Sequence, residues 1–137
     1  MLWNVAIIVF TDVKLLDVTG PLQVFNDACH LDSDRHAYAP ALYSLTGGPV
    51  PTDSPVPLDS RPLSALDGAK TDTLLVAGGL GTRTDVRDAA LIAAIARAAR
   101  GARRLGSICT GSFLLAAAGL LDGRHATTHW ESCARMQ

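Results

Sequence analysis

Residues 105–112, which read Leu-Gly-Ser-Ile-Cys-Thr-Gly-Ser, are the most informative part of this chain for its fold. The stretch predicts a strand over Arg104–Ile108, a sharp turn at Cys109 and an apolar helix over Ser112–Ala118. Such a turn lifts a thiol above the carboxyl edge of a sheet and places it at a helix N-terminus. We expect the helix dipole to lower the pKa of Cys109. The alternative is a small apolar residue at a strand end.

Outward from this turn, buried strands alternate with amphipathic helices. Apolar runs predict strands at Trp3–Phe10, Tyr38–Leu45 and Thr73–Ala77. One helix is predicted to begin at Thr19–Pro21, and another to span Val86–Arg100. The alternation predicts an α/β fold in which helices sandwich a doubly wound, mostly parallel sheet, as one domain over residues 1–137.

Three weaker segments complete the predicted pattern. Pro49–Pro62 holds five prolines, so we expect a loop with at most a short edge strand at Val56–Leu58. Asp85 and Asp88 resemble a capping pair before the long helix. His125–Thr128 favours a strand, and Leu31–His36 is a polar loop.

Composition excludes several classes of protein. The 137 residues are 48% hydrophobic and 18% charged, which is enough for a packed core. A net charge of −1 excludes a polycation that binds nucleic acid or anionic lipid along its whole length. An odd count of three cysteines fits a reducing cytoplasm better than a disulfide framework. Polar residues interrupt the apolar run 105–121, so we expect no membrane span.

The turn Gly78-Gly79-Leu80-Gly81 follows a predicted strand at the same edge of the sheet as Cys109. Its backbone N–H groups could bind an oxyanion or a carboxylate, or the segment is a plain turn. Thr84 stands where a dinucleotide-binding motif needs its third glycine. We therefore expect no cofactor here.

Asp17 lies just before the first predicted helix, between apolar neighbours. Such surroundings should raise the pKa of its carboxyl group. The group could then hydrogen-bond to a thiolate or act as a general acid or base. A solvated helix N-cap is the alternative.

His125, His129 and Cys133 are spaced four residues apart, which on a helix would form a metal-binding face. The β-favouring residues 126–128 argue against that helix, so we expect no metal site. His129, beside Trp130, is a candidate for lining a pocket.

A basic cluster comprises Arg97, Arg100, Arg103 and Arg104. A nucleic-acid patch is possible. Basic residues at this position more often complement the C-terminal end of a helix dipole, and the sequence has no helix-turn-helix pattern.

The ordered motifs of this chain resemble the ThiJ/PfpI superfamily, which has the type I glutamine-amidotransferase-like (flavodoxin-like) fold. The matching segments are Leu16–Phe25, Leu75–Gly79, Ser107–Gly111 and Ala118–Trp130. The last run is most similar to the N-terminal sensor domains of AraC-type transcription regulators and to isonitrile hydratase.

The resemblance implies specific roles for several residues. Cys109 would be the elbow cysteine, and Asp17 the acid that hydrogen-bonds to it. Gly79 and Thr110 would supply N–H groups like those of an oxyanion hole, with Gly78 and Gly111 beside the ligand site and His129 near the pocket. The PfpI proteases carry a histidine directly after the cysteine, where this chain has Thr110, so peptidase activity is not expected.

The resemblance therefore implies a small-molecule-sensing domain of an AraC-type regulator. The first alternative is an enzyme of the isonitrile hydratase type that produces N-formamides. The second is a redox-responsive protein whose cysteine is oxidised. Superfamily domains are longer, so we expect the last strands and helices, and any DNA-binding domain, to lie outside this chain. We also expect the protein to be a cytoplasmic homodimer and this chain not to bind nucleic acid itself.

Overall fold

The computed structural model describes residues 2–31 and 37–136. Most of the polar loop predicted at Leu31–His36 lies outside the described residues. None of the helices within these ranges is long and apolar enough to cross a membrane.

Strands and helices alternate along the chain, as predicted. The strands are β1 (Leu2–Ile8), β2 (Ala37–Ser44), β3 (Gly48–Val50), β4 (Leu58–Pro62), β5 (Thr71–Val76) and β6 (Ala102–Ser107). The helices are α1 (Leu15–Leu31), α2 (Thr82–Asp85), α3 (Ala89–Arg100), α4 (Ser112–Ala117) and α5 (Cys133–Met136). Short 3-10 turns lie at Leu63–Leu66, Cys109–Gly111 and Trp130–Ser132.

These strands form one sheet in the order β3-β4-β2-β1-β5-β6. All neighbouring pairs are parallel except β3 with β4. The chain winds from β1 towards β2 in one direction and from β5 towards β6 in the other. The predicted doubly wound α/β fold is therefore confirmed. The direction changes between β1 and β5, and the crevice beyond their carboxyl ends is where such folds bind ligands.

The core lies around the central strand β1, whose residues 5–8 are almost fully buried. Continuous apolar runs of this kind belong to parallel strands that are covered on both faces. From α3, Leu91 and Ile95 pack into the core, and Leu114 does so from α4. Burying each such side chain contributes about 1.5–3 kcal/mol, so the core holds the strand ends that form the site in fixed positions.

The first helix begins at Leu15, earlier than the predicted start at Thr19–Pro21. Its first turn is capped from a distant segment, because the carboxylate of Asp53 accepts a hydrogen bond from the Leu15 N–H at 2.9 Å. Pro21 therefore lies inside the helix instead of at its start. As a result, Asp17 belongs to the first helical turn.

The proline-rich segment contains more strand than predicted. The antiparallel pair β3 and β4 extends the sheet beyond β2, and β4 begins at Leu58, where the predicted edge strand ends. Prolines are tolerated because this pair lies at the edge of the sheet. The hydroxyls of Ser44 and Ser60 lie 2.8 Å apart and join β2 to β4.

Three further predictions need correction. The long helix starts at Ala89, where the Asp88 carboxylate accepts from the N–H groups of Ala90 and Leu91. Asp85 ends the separate helix α2 and does not cap α3. His125–Thr128 is not a strand: the segment pairs with none of the described strands, and the Thr128 hydroxyl donates to the Cys109 carbonyl instead.

Candidate functional site

The candidate site lies where the segments after β1, β5 and β6 meet at the carboxyl edge of the sheet. The Lys14 N–H donates to the carbonyl of Gly78 at 2.8 Å, and Val13 forms a bridge with Gly79. The segment after β6 brings Cys109 to the same point. Residues from three distant parts of the sequence thus surround one crevice.

Cys109 occupies a strained turn, as the sequence predicts. Its φ of 55° lies in the left-handed region, which is unfavourable for a residue with a side chain. The turn is tight because Gly111 lies against the carbonyl oxygens of Val76 and Ala77, where a Cβ atom would collide with backbone. This geometry holds the thiol at the end of β6, facing the crevice.

The side chains of Cys109 and Asp17 lie close together, and each affects the pKa of the other. Asp17 also accepts a hydrogen bond from the Gly78 N–H at 3.2 Å. A Cβ atom at Gly78 would lie 2.7 Å from both Asp17 Oδ2 and the Thr110 nitrogen. The absence of a side chain at Gly78 therefore allows the acid and the thiol to meet.

Burial raises the pKa of Asp17, more than the hydrogen bonds from Gly78 and Cys109 lower it. The predicted direction is confirmed for this residue. The prediction for Cys109 is wrong: burial raises the pKa of its thiol, and the charge of Asp17 adds to that effect. The hydrogen bond from the Thr110 N–H lowers the pKa of the thiol, but by less than burial and Asp17 raise it. The following helix has only six residues, so its dipole is weak.

The N–H groups predicted to bind an oxyanion are largely occupied. The Gly79 N–H donates to the Thr110 hydroxyl at 3.0 Å, and the Gly78 N–H donates to Asp17. The N–H of Thr110 faces the Cys109 sulfur. The predicted Gly79 donor is therefore engaged within the protein.

A cavity of about 300 Å³ opens above the Cys109 thiol. Its lining includes the predicted residues Gly79, Thr110 and His129. It also includes charged residues that the sequence did not single out: Lys14, Asp53, Arg83, Glu131 and Arg135. Lys14 and Asp53 form an ion pair at 2.8 Å.

His129 lines this cavity, but no hydrogen bond among the described residues joins it to Cys109. Its Nδ1 accepts a hydrogen bond from the Glu131 N–H at 3.3 Å, and its ring lies 5.6 Å from that of Trp130. The Cys133 thiol faces the carbonyls of Thr128 and His129. Among residues 2–31 and 37–136, no group of three or more ligating side chains is placed to hold a metal.

A comparison with protein-family models matches residues 3–137 to the DJ-1/PfpI family. The chain belongs to the DJ-1/PfpI family. The resemblance drawn from the motifs is thus confirmed.

Relatives within this family carry several different names. A Streptomyces lividans protein in the cpoL 5′ region is 40% identical over 97% of this chain and 92% of its own length. The HTH-type transcriptional regulator GbdR of Pseudomonas aeruginosa is 37% identical over 93% of this chain. Isonitrile hydratase of Pseudomonas putida is 34% identical over 95% of it. The chain spans only 33% of GbdR and 54% of isonitrile hydratase.

Solved structures agree with this assignment. A ThiJ/PfpI family protein from Pseudomonas syringae has a TM-score of 0.79 and 26% identity, covering 96% of this chain and 53% of its own. An AraC family transcriptional regulator from Pseudomonas putida has a TM-score of 0.72 and 25% identity, covering 98% and 70%.

Proposed function

We propose that this chain is the small-molecule-sensing domain of an AraC-type transcription regulator. The ligand would occupy the cavity above Cys109. The observation that carries this proposal is the proximity of Asp17 to a thiol whose pKa is raised. A protonated thiol held by an acid is a weak nucleophile and a suitable polar contact for a bound ligand.

The surroundings of Cys109 favour binding over hydrolysis. Among the described residues, no hydrogen bond joins a histidine to this thiol, and the Nδ1 of His129 already accepts the Glu131 N–H. A cysteine nucleophile needs an adjacent base or a lowered pKa. The same raised pKa weighs against the redox alternative, since the thiolate is the form that oxidants attack.

The charges of the cavity suggest the class of ligand. Arg83 and Arg135 line it together with the Lys14–Asp53 ion pair. The guanidinium of Arg135 lies over the Phe113 ring at 5.2 Å, which restrains its position. Guanidinium groups favour carboxylates, so we expect a small polar metabolite with an anionic group.

A thermal-shift screen with small organic acids and amino acids tests this proposal. We expect at least one compound to stabilise the wild-type chain. The shift should be lost in Asp17→Asn and Cys109→Ala, but kept in the exposed control variants Asp27→Asn and Cys133→Ser. The proposal is wrong if every shift persists in the two site variants, or if no compound stabilises the protein.

The regulator proposal also includes self-association, with DNA binding assigned to a region outside these residues. Light scattering of the purified chain tests the first point. A dimer mass supports it, and a monomer mass at all concentrations contradicts it.

Isonitrile hydration is the second candidate, favoured by the contact between Asp17 and Cys109. The thiol would add across the isonitrile carbon, with its proton passing through Asp17 to that carbon, giving a thioimidate. Water would then release an N-formamide and restore the thiol. Formamide production that disappears in Cys109→Ala supports this candidate. A complete lack of turnover at high protein concentration excludes it.

A further inference from the structure

A second cavity, of about 420 Å³, lies at the opposite, amino-terminal edge of the sheet. Its walls come from the starts of β1, β5 and β6 and from the end of α3. Because the three strands are parallel, their first residues meet at this edge, away from Cys109. The cavity is within the size range of small-molecule sites.

One wall of this cavity is held by a buried acid. The side chain of Asp72 is only 5% exposed, and its Oδ1 accepts from Arg103 Nε at 2.6 Å. Its other oxygen accepts from the Thr73 hydroxyl at 2.8 Å. Burial raises the pKa of Asp72, but the hydrogen bonds from Arg103 and Thr73 outweigh it and hold the pKa below its usual value. Asp72 is therefore a carboxylate committed to Arg103.

The guanidinium of Arg103 is fixed on a second side by an aromatic ring. Its central carbon lies 4.9 Å from the centre of the Trp3 ring. A guanidinium that is both paired and stacked is ordered before any ligand arrives, which reduces the entropy lost on binding. Arg103 and Trp3 together form one wall of the cavity.

The cavity carries positive charge beyond that pair. Lys70 and Arg100 also line it, while Asp72 already balances Arg103. Some of the carbonyls near the end of α3 are already engaged within the protein. Those of Ala98 and Ala99 accept from the Gly101 N–H, and the Gly101 carbonyl accepts from Thr71.

We propose that this cavity is a second ligand site, which binds a planar organic anion. The ring of the ligand would lie along the Trp3–Arg103 wall, and its phosphate or carboxylate would contact Lys70 and Arg100. The site is independent of the proposed sensing function at Cys109.

Fluorescence of the full chain carrying Trp130→Phe tests the proposal, since Trp3 is then its only tryptophan. The probes are adenosine monophosphate for the phosphate source and benzoate for the carboxylate source. Adenosine lacks the anionic group that the proposal requires, and inorganic phosphate lacks the planar ring. We expect at least one probe to quench the Trp3 fluorescence saturably. Adenosine and inorganic phosphate should each bind with about tenfold lower affinity than that probe.

Two double variants provide the matched comparison, because both remove two cations from exposed positions. Lys70→Ala/Arg100→Ala should weaken binding about tenfold, whereas Arg97→Ala/Arg104→Ala should leave it nearly unchanged. Equal weakening in both would mean diffuse attraction to the basic surface and would overturn the proposal. So would tighter binding of a single-stranded oligonucleotide than of either probe, or no saturation by either probe at about 1 mM.

Discussion

The side chains of Cys109 and Asp17 both crowd Gly78, where an added Cβ atom would lie 2.8 Å from the Cys109 Cβ and 2.7 Å from Asp17 Oδ2. The two groups come from the segment after β6 and from the first turn of α1. Burial raises the pKa of each, and the charge of Asp17 further disfavours the thiolate. The pair therefore keeps a proton that a nucleophilic cysteine would have lost.

Replacing Asp17 by Asn should lower the pKa of Cys109. The substitution removes the negative charge that opposes thiolate formation, although burial still acts on the sulfur. Alkylation of Cys109 by iodoacetamide, followed by peptide mass spectrometry across a pH series, measures the midpoint. Asp27→Asn, on the exposed face of α1, is the control. A midpoint in Asp17→Asn that is unchanged or higher contradicts the described pairing.

Adding a methyl group at Gly78 should separate the acid from the thiol. The new Cβ atom would lie 2.7 Å from Asp17 Oδ2 and 2.8 Å from the Cys109 Cβ, so one of them must move. We expect Gly78→Ala to lose about 1–3 kcal/mol of unfolding free energy, as overpacked sites do. Chemical denaturation measures this loss.

Gly20 provides the matched control for that variant. It lies inside α1 with no atom within 4 Å of an added Cβ. Gly20→Ala should therefore gain about 0.5–1 kcal/mol from helix propensity. If both variants change the unfolding free energy in the same direction, the claim that close contacts at Gly78 exclude a side chain is wrong.

Ionisation of Asp85 should lower the unfolding free energy of the chain as the pH rises. Burial, followed by the charges of Asp88 and Asp12, raises its pKa to about 6, and its buried Oδ2 has no hydrogen-bond partner among the described residues. Because the folded pKa exceeds that of the unfolded chain, the favourable contribution is complete below about pH 4 and is lost as pH rises through 6.

Asp85→Asn should abolish this pH-dependent loss of stability, because an amide does not ionise. We expect it to stabilise the chain by about 1–2 kcal/mol at pH 7.5, after allowance for partial exposure, and by almost nothing at pH 4. Thermal melts at both pH values measure the difference. The exposed variant Asp59→Asn is the control, and an equal gain at both pH values would contradict the assignment.

Removing Arg103 should leave Asp72 as a buried carboxylate without its cation. We expect Arg103→Ala to lose about 2 kcal/mol at pH 7, since an unsatisfied buried charge is costly. The loss should shrink at low pH, where Asp72 becomes protonated. Denaturation at pH 7 and pH 3 checks this expectation. The double variant Arg103→Ala/Asp72→Asn should recover part of the loss, and a further loss would contradict the account.

The sequence predicted the central sheet because buried parallel strands read as continuous apolar runs, as in β1 and β5. It missed β3 and most of β4, since edge strands tolerate proline and depend on neighbours for their hydrogen bonds. It misplaced the start of α1 because the cap is Asp53, which is distant in sequence. Local patterns do not reveal caps of this kind.

The candidate site was only partly predictable. The turn at Cys109 follows from local glycines. The residues around Asp17 left open whether it meets the thiol or is a solvated helix N-cap, and the family resemblance favoured the contact. The pKa of Cys109 was predicted in the wrong direction, because burial depends on the whole fold. Of the charged cavity residues, Lys14 lies in the turn after β1, Arg83 in the short helix α2 that follows β5, and Arg135 in α5. A search for basic residues just after buried strands would have found the first two.

Calorimetric titration of the most stabilising metabolite from the screen tests the sensing proposal most directly. The account predicts one binding site per chain, affinity about tenfold lower in Asp17→Asn and Cys109→Ala, and recovery of the metabolite unchanged. Equal affinity in wild-type and variant chains, or consumption of the metabolite by the wild-type protein, would contradict it.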